Sequence, residues 1–248
     1  ERATYIIRDG RFEAGETSFG SPGIGTEWFF AEGSAGPFFD SFLLLVNPSD
    51  TTAEVDVRYL PDHGEGVTRT HIVGPRSRVT VPLDKEHDWE SWTGLGMHVT
   101  SKNDVPIIAE RAMWWSTNGQ PGWEEGHGGT GLLAPALSFA MGDGVAGGPQ
   151  GAATYLLVAN PSDADAIVRV TIAFEDGTPS ESREYMVPVG RRQTLNVAGE
   201  FPTARDRRFS ARVDSLNATP IVVEESIYWS LGTGTWKTGV SLPATRLQ

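Results

Sequence analysis

The chain has no cysteine. This excludes disulfide staples, thiolate metal sites and a cysteine nucleophile. No apolar run reaches the length of a membrane span, and no signal-peptide pattern occurs, so a secreted protein is expected to carry this sequence in mature or excised form. Positive charge is scarce: 20 Lys and Arg stand against 32 Asp and Glu, for a net charge of −12. Without a basic patch, nucleic acid and anionic lipid are not expected partners, and no membrane insertion is expected.

Catalytic motifs are also missing. The five histidines, His63, His71, His87, His98 and His127, form neither an HxH nor an HExxH pattern. No GxSxG elbow is present, and the glycine-rich stretch Gly142–Gly151 has no GxxxxGK[ST] pattern, so it reads as a surface loop. No carboxylate pair for glycoside hydrolysis stands out, because many acidic residues sit at turns, where they favour the backbone.

What is present suits strands and turns. The 248 residues include 29 glycines, 16 prolines and eight tryptophans, enough chain for two domains, each with its own core. The chain repeats itself with a shift of about 114 residues, a unit typical of a small domain. Phe42–Asp50 falls on Tyr155–Asp163, Arg78 on Arg192, and Pro106–Trp115 on Pro220–Trp229. A third partial copy opens the chain: Glu1-Arg2-Ala3 matches Glu110-Arg111-Ala112, and Phe12-Glu13-Ala14-Gly15 resembles Trp123-Glu124-Glu125-Gly126 and Trp236-Lys237-Thr238-Gly239.

Strand signals are regular. Val55, Val57 and Tyr59 alternate with Glu54, Asp56 and Arg58, as a half-buried strand requires. Asn47-Pro48 stops the strand before it. About seven such strands per unit, at sandwich spacing, predict an all-β fold. Two tandem immunoglobulin-like β-sandwich domains, related by internal duplication, follow an extra N-terminal strand. The expected boundaries are 1–25 for that strand and tail, 26–135 for the first sandwich and 136–248 for the second. The glycine-rich segments 117–122 and 126–131 are expected to connect the two.

In both units a glutamate sits among mostly apolar neighbours on one strand face, where an unpaired charge is costly. Arginines recur at one matching position, so the expected structural ion pairs are Glu110–Arg78 and Glu224–Arg192. Arg111, replaced by Glu225 in the second unit, looks dispensable. The acidic turns at Asp62, Asp143 and Asp176 offer oxygen ligands for calcium; no other cofactor or metal is expected. Trp123 and Trp236 follow the closing strands in glycine-rich tails and are the candidate glycan or interdomain contacts. Glu1, Arg2, Ala3, Thr4, Tyr5, Ile6 and Ile7 form the candidate interaction strand.

The stretches Glu27–Gly33, Leu44–Pro48 and Pro106–Trp114 resemble tandem β-sandwich modules of unknown function in large secreted or surface proteins of bacteria, as does the terminal Pro243–Leu247. Around Leu137–Gly142 the second unit lacks the tryptophan and glutamate of this pattern. The resemblance implies an extracellular or cell-surface location and a structural, adhesion or assembly role, with no catalytic residues to carry over. The expected function is therefore non-enzymatic, with polymerisation by β-strand addition through the N-terminal strand. Its expected partners are other copies of the chain or neighbouring repeats. The alternative is a carbohydrate-binding module that uses exposed tryptophans on surface glycans. An enzymatic reading requires a deep pocket with convergent polar groups between the units.

Overall fold

A computed structural model describes residues 2–8, 10–18, 20–21, 23–89, 93–119 and 122–247. Every sheet is antiparallel. An N-terminal hairpin joins β1 (Arg2–Arg8) to β2 (Arg11–Ser18). Unit 1 comprises β3 (Glu27–Phe30), β4 (Ser34–Ala35), β5 (Phe39–Asn47), β6 (Ala53–Pro61), β7 (Thr68–Val73), β8 (Ser77–Pro82), β9 (Thr93–Ser101), β10 (Ile108–Trp115) and β11 (Glu125–Thr130). Unit 2 comprises β12 (Ser138–Ala146), β13 (Ala152–Ala159), β14 (Ala166–Phe174), β15 (Glu181–Val187), β16 (Arg192–Asn196), β17 (Arg207–Ser215), β18 (Val222–Trp229), β19 (Thr238–Pro243) and β20 (Thr245–Arg246).

Each unit is a β-sandwich. In unit 1 the order β3-β9-β6-β7 packs on β11-β10-β5-β8; in unit 2 β20-β12-β17-β14-β15 packs on β19-β18-β13-β16. The alternation in the sequence becomes the packing between layers. Val55, Val57 and Tyr59 face Leu43, Leu45, Ile107 and Ala109 in the first core, and Val168, Val170 and Ile172 face Leu156, Val158 and Val223 in the second. The inner pairs β5–β8 and β6–β9 follow the immunoglobulin-like arrangement, whereas the closing strand β10 pairs with β5 and not with β9. The turn asparagines do more than end strands. Asn47 is fully buried and its amide donates to the carbonyls of Thr51, Val73 and Gly74; Asn160 does the same to Ala164 and Val187.

Two glycine-rich segments differ from expectation. Gly126–Thr130 lies in β11, paired along β10. Glycine is needed there because a Cβ on Gly126 would sit 2.3 Å from the Trp114 ring; the aromatic lies across the strand that a side chain would otherwise cover. The stretch 142–151 begins as the end of β12, whose pairing with β17 is bulged between Met141 and Gly144, and then turns into β13 of the other layer, with a bridge between Gly147 and Ala152. The polar segment after β8 opens with a 3-10 turn at Leu83–Lys85.

Candidate functional site

The units meet at the outer face of the β13-containing sheet of unit 2, the face turned away from that unit's own core. On unit 2 this face carries Tyr155, Leu157, Arg192, Thr194, Val222, Glu224, Ser226 and Tyr228. Unit 1 covers it with a backbone bulge and a hairpin. The bulge Ala31-Glu32-Gly33 shifts the pairing with β9, with the Gly33 carbonyl still accepting from the Leu95 N–H at 2.9 Å, and turns peptide groups toward the junction. The Ala31 N–H donates to Glu224 Oε1 at 2.8 Å. The Gly33 carbonyl accepts from Arg192 Nη1 at 2.6 Å, and the Glu32 carbonyl accepts from Arg111 Nη1 at 3.2 Å.

Arg111 is the centre of this contact. It projects from β10 of unit 1, is 1 % exposed, and pairs with Glu224 of unit 2 at 2.6 Å. Its Nη2 donates to Ser241 Oγ on β19 at 3.0 Å, and Ser241 donates to Glu32 Oε2 at 3.2 Å. Burial opposes the charge on Arg111, but the carboxylates of Glu224 and Glu32 outweigh it and hold its pKa above the usual value. Burial raises the pKa of Glu32, against the pull of Arg111 and Arg192. A charge-paired, hydrogen-bonded cluster of this kind favours one register over any slipped packing, since a slip would strand buried charge.

Beside the Arg111–Glu224 pair lies an aromatic cluster. Phe38 and Phe39 of unit 1 meet Trp236 with ring centroids 5.5 and 6.0 Å apart. Trp236 stacks on Tyr228 at 4.4 Å, and Trp115 donates its Nε1–H to the Trp236 carbonyl. His127 of β11 shares a 2.9 Å hydrogen bond with the Tyr228 hydroxyl. Burial, with Arg111 nearby, keeps His127 neutral by pushing its pKa well down, and burial pushes Tyr228 well up, so both remain uncharged. A cavity of about 210 Å³ lies between Glu32, Asp62, Arg192, Phe39, Tyr155 and Trp236. It is smaller than the roughly 300 Å³ at which small-molecule sites begin.

The expected ion pairs are not the ones formed. Among the described residues, neither Glu110–Arg78 nor Glu224–Arg192 is an ion pair. The reason is register. Glu224 stands in line with Leu157 and Thr194, while Arg192 stands in line with Ala159 and Val222, about 7 Å along the strands and about 10 Å across them. Glu110 and Arg78 have the same offset, through Leu44 and Val46. Glu224 therefore pairs across the junction with Arg111, the residue that the sequence comparison made look dispensable. Arg192 instead donates to the Gly33 and Leu95 carbonyls and to Thr194.

The other candidates are placed as follows. Trp236 is an interdomain contact. Trp123 stacks on Trp114 at 5.7 Å, touches Phe42, donates to Asp40 and is 45 % exposed. Asp62 accepts from the Gly94 N–H and lies against His63, Asp176 pairs with Arg207, and Asp143 lies on the β12 bulge. No cluster of three or more metal-ligating side chains occurs among the described residues. Glu1 lies outside the described residues; Arg2 to Ile7 lie in β1. Register also corrects the view that unit 2 lacks the acid of unit 1. Phe139 pairs with Val213 as Trp28 pairs with Val99, and the two bulges match, so Asp143 takes the place of Glu32.

The face found on unit 2 recurs on unit 1. Phe42, Leu44, Arg78, Thr80, Ala112, Trp114 and Trp123 stand position for position where Tyr155, Leu157, Arg192, Thr194, Ser226, Tyr228 and Trp236 stand, and they line a hollow of about 300 Å³. In both faces threonine orients the arginine: Arg78 Nη2 donates to Thr80 at 3.0 Å and Arg192 Nη2 to Thr194 at 2.9 Å. The N-terminal hairpin lies on the unit 1 face as β10–β11 lies on the unit 2 face. Its β2 runs beside β11, and β11 runs beside β19. The registers agree as well: Tyr5 faces Gly15 across the hairpin, as Trp114 faces Gly126 and Tyr228 faces Gly239.

No family model matches the chain, and no curated protein matches it. Among solved structures, it is similar to the Thermotoga maritima protein 1070, at 17 % identity and a TM-score of 0.39 over 44 % of this chain and 95 % of that one. It is also similar to the Anabaena sensory rhodopsin transducer, at 24 % identity and a TM-score of 0.31 over 37 % and 96 %. A Bacteroides uniformis β-glucuronidase is matched at 11 % identity and a TM-score of 0.18, over 84 % of this chain and 24 % of that one. These likenesses carry no residue role or activity over to this chain.

Proposed function

We propose that this chain is a non-enzymatic structural and assembly module of an extracellular or cell-surface protein, built from duplicated units that stack by laying the closing hairpin of one on the outer face of the next. The extracellular setting and the family of tandem surface modules come from the sequence resemblance. The assembly role rests on one observation. Hairpins β10–β11 and β18–β19 each continue into a four-stranded sheet through β5 and β13, whereas β1–β2 forms a two-stranded sheet by itself. Among the described residues, no strand pairs with the edge of β1 that corresponds to the β5-paired edge of β10, and an open strand edge is a template for pairing.

In this reading β1 accepts a strand from another copy or from a neighbouring repeat. Sedimentation velocity tests it. The full chain forms larger species as concentration rises, and a version without residues 1–20 stays at the mass of one chain. Equal association by both would remove β1 from the account. The exposed stack of Trp123 on Trp114 favours a second reading, glycan binding, which requires saturable oligosaccharide binding that Trp123→Ala abolishes.

A further inference from the structure

We propose that the cavity between the two units binds one neutral sugar ring, the terminal hexopyranose of a glycan, between the aromatic cluster and the side chains of Asp62 and Arg192. This is independent of assembly through β1 and of the Trp114–Trp123 stack. The floor of the cavity is the outer face of the unit 2 sheet, with Tyr155, Thr194, Ser226 and Tyr228; Phe39, the Glu32–Ser34 bulge and Gly94 of unit 1 close the sides. Ser34, Asp62, Tyr155, Thr194 and Trp236 keep part of their surface in water, so the cavity is reached from solvent. Its volume of about 210 Å³ lies below the range of drug-sized sites and limits the occupant to a single ring.

Three polar groups of the lining are not used up by the fold. Arg192 donates from Nη1 to the Gly33 and Leu95 carbonyls and from Nε and Nη2 to Thr194. A guanidinium has five N–H groups, so one on Nη2 is left. Asp62 Oδ1 accepts from the Gly94 N–H and lies against His63, while Oδ2 accepts no hydrogen bond among the described residues. The Ser226 hydroxyl is buried with no partner at hydrogen-bonding geometry; the Tyr228 hydroxyl beside it is engaged with His127. Gly94 keeps the donor and the acceptor open. A Cβ on it would lie 2.6 Å from Asp62 Oδ2 and 2.8 Å from Arg192 Nη2, so only glycine leaves free the spot on which both converge.

A free N–H beside a free carboxylate oxygen calls for a ligand that accepts and donates from neighbouring atoms. Charge of either sign works against binding: an anion meets Asp62 and Glu32, and a cation meets Arg192. Adjacent hydroxyls of a sugar satisfy both groups, because each hydroxyl donates and accepts. The C–H face of the ring then covers the apolar surface of the aromatic wall formed by Phe39, Tyr155, Tyr228 and Trp236. An aromatic lining with a few convergent polar groups is the general form of a ligand site.

The test titrates the full chain with methyl glucopyranoside, methyl galactopyranoside and methyl mannopyranoside, followed by NMR at the Gly94 amide and the Trp236 indole. The matching uronic acids and amino sugars are the charged controls. The expected result is saturable binding of at least one neutral glycoside, with shifts at both reporters. Affinity falls about tenfold or more in Asp62→Asn and in Tyr155→Ala and is unchanged in Trp123→Ala. Asp62→Asn keeps the shape of the side chain, and Tyr155→Ala reads the site separately if the Asp62 turn is disturbed. An oligosaccharide ending in the same ring is expected to bind as well as the glycoside; failure to bind would overturn the glycan assignment. No saturable binding of any neutral glycoside overturns the proposal and leaves assembly through β1 untouched. Binding lost in Trp123→Ala and kept in the other two variants places the sugar on the Trp114–Trp123 stack and also overturns it. Tighter binding of a uronic acid or an amino sugar overturns the neutral ligand.

Discussion

Arg111 decides how the two units sit. It is a cation taken out of water and matched to Glu224, with the Glu32 carbonyl and Ser241 taking further hydrogen bonds. Removing one partner strands the other, so Arg111→Ala or Glu224→Ala is expected to cost about 3–5 kcal/mol in chemical denaturation, whereas Arg111→Met with Glu224→Leu together costs much less. In unit 2 the position of Arg111 holds Glu225, buried and with an Oε1 that has no hydrogen-bond partner. Burial, reinforced by Asp143, raises its pKa from 4.5 to about 7. A raised carboxyl pKa means that the folded state holds the proton more tightly than the unfolded chain. Its contribution is therefore full below about pH 4.5 and lost as pH rises through about 7. Glu225→Gln is expected to remove that slope and to stabilise the protein at pH 8 by up to roughly 3 kcal/mol, read from denaturation at several pH values. The sequence showed that Glu110 and Glu224 needed partners. It could not show which, because comparing units one above the other reveals what each repeats, while Arg111 serves the contact between them.

The elements that make the contact are a bulge and a hairpin, and they differ in how well they can be read. Strands β5, β6, β13 and β14 were legible from alternation and β-branched residues. β11 was not, because glycine is depleted in strands and three glycines occur among its six residues. The missing cue was the aromatic across the ladder: Trp114 over Gly126 and Tyr228 over Gly239. Gly239→Ala would put a Cβ 2.5 Å from the Tyr228 ring. It is expected to destabilise the protein by roughly 1–3 kcal/mol and to disturb Trp236 fluorescence, since that ring stacks on Tyr228. The bulges at Glu32 and Asp143 were also illegible, since a bulge is a shift in pairing and leaves no periodic trace.

For the whole molecule, the two sandwiches share a buried junction. Phe29, Ala31 and Leu60 of unit 1 pack against Leu157, Ala159 and Val222 of unit 2, continuous with the Arg111–Glu224 pair and the aromatic cluster. Calorimetry of the intact chain is expected to show one cooperative transition for both units. Arg111→Ala should separate it into two, because the coupling between units is then weakened while each core remains. The sequence conveyed the all-β fold, because the alternation of apolar and polar residues is written in its strands. It did not convey the face-to-hairpin stacking, which depends on which side of each sheet is left uncovered.

Assembly through β1, as proposed, requires an open edge on that strand. Amide hydrogen exchange resolved across β1 and β10 tests it directly. In dilute solution the β1 amides directed away from β2 are expected to exchange quickly while those of β10 are protected on both edges, and the fast β1 amides are expected to become protected as the chain associates. Protection of all β1 amides in the dilute chain, or association that leaves their exchange unchanged, would contradict it.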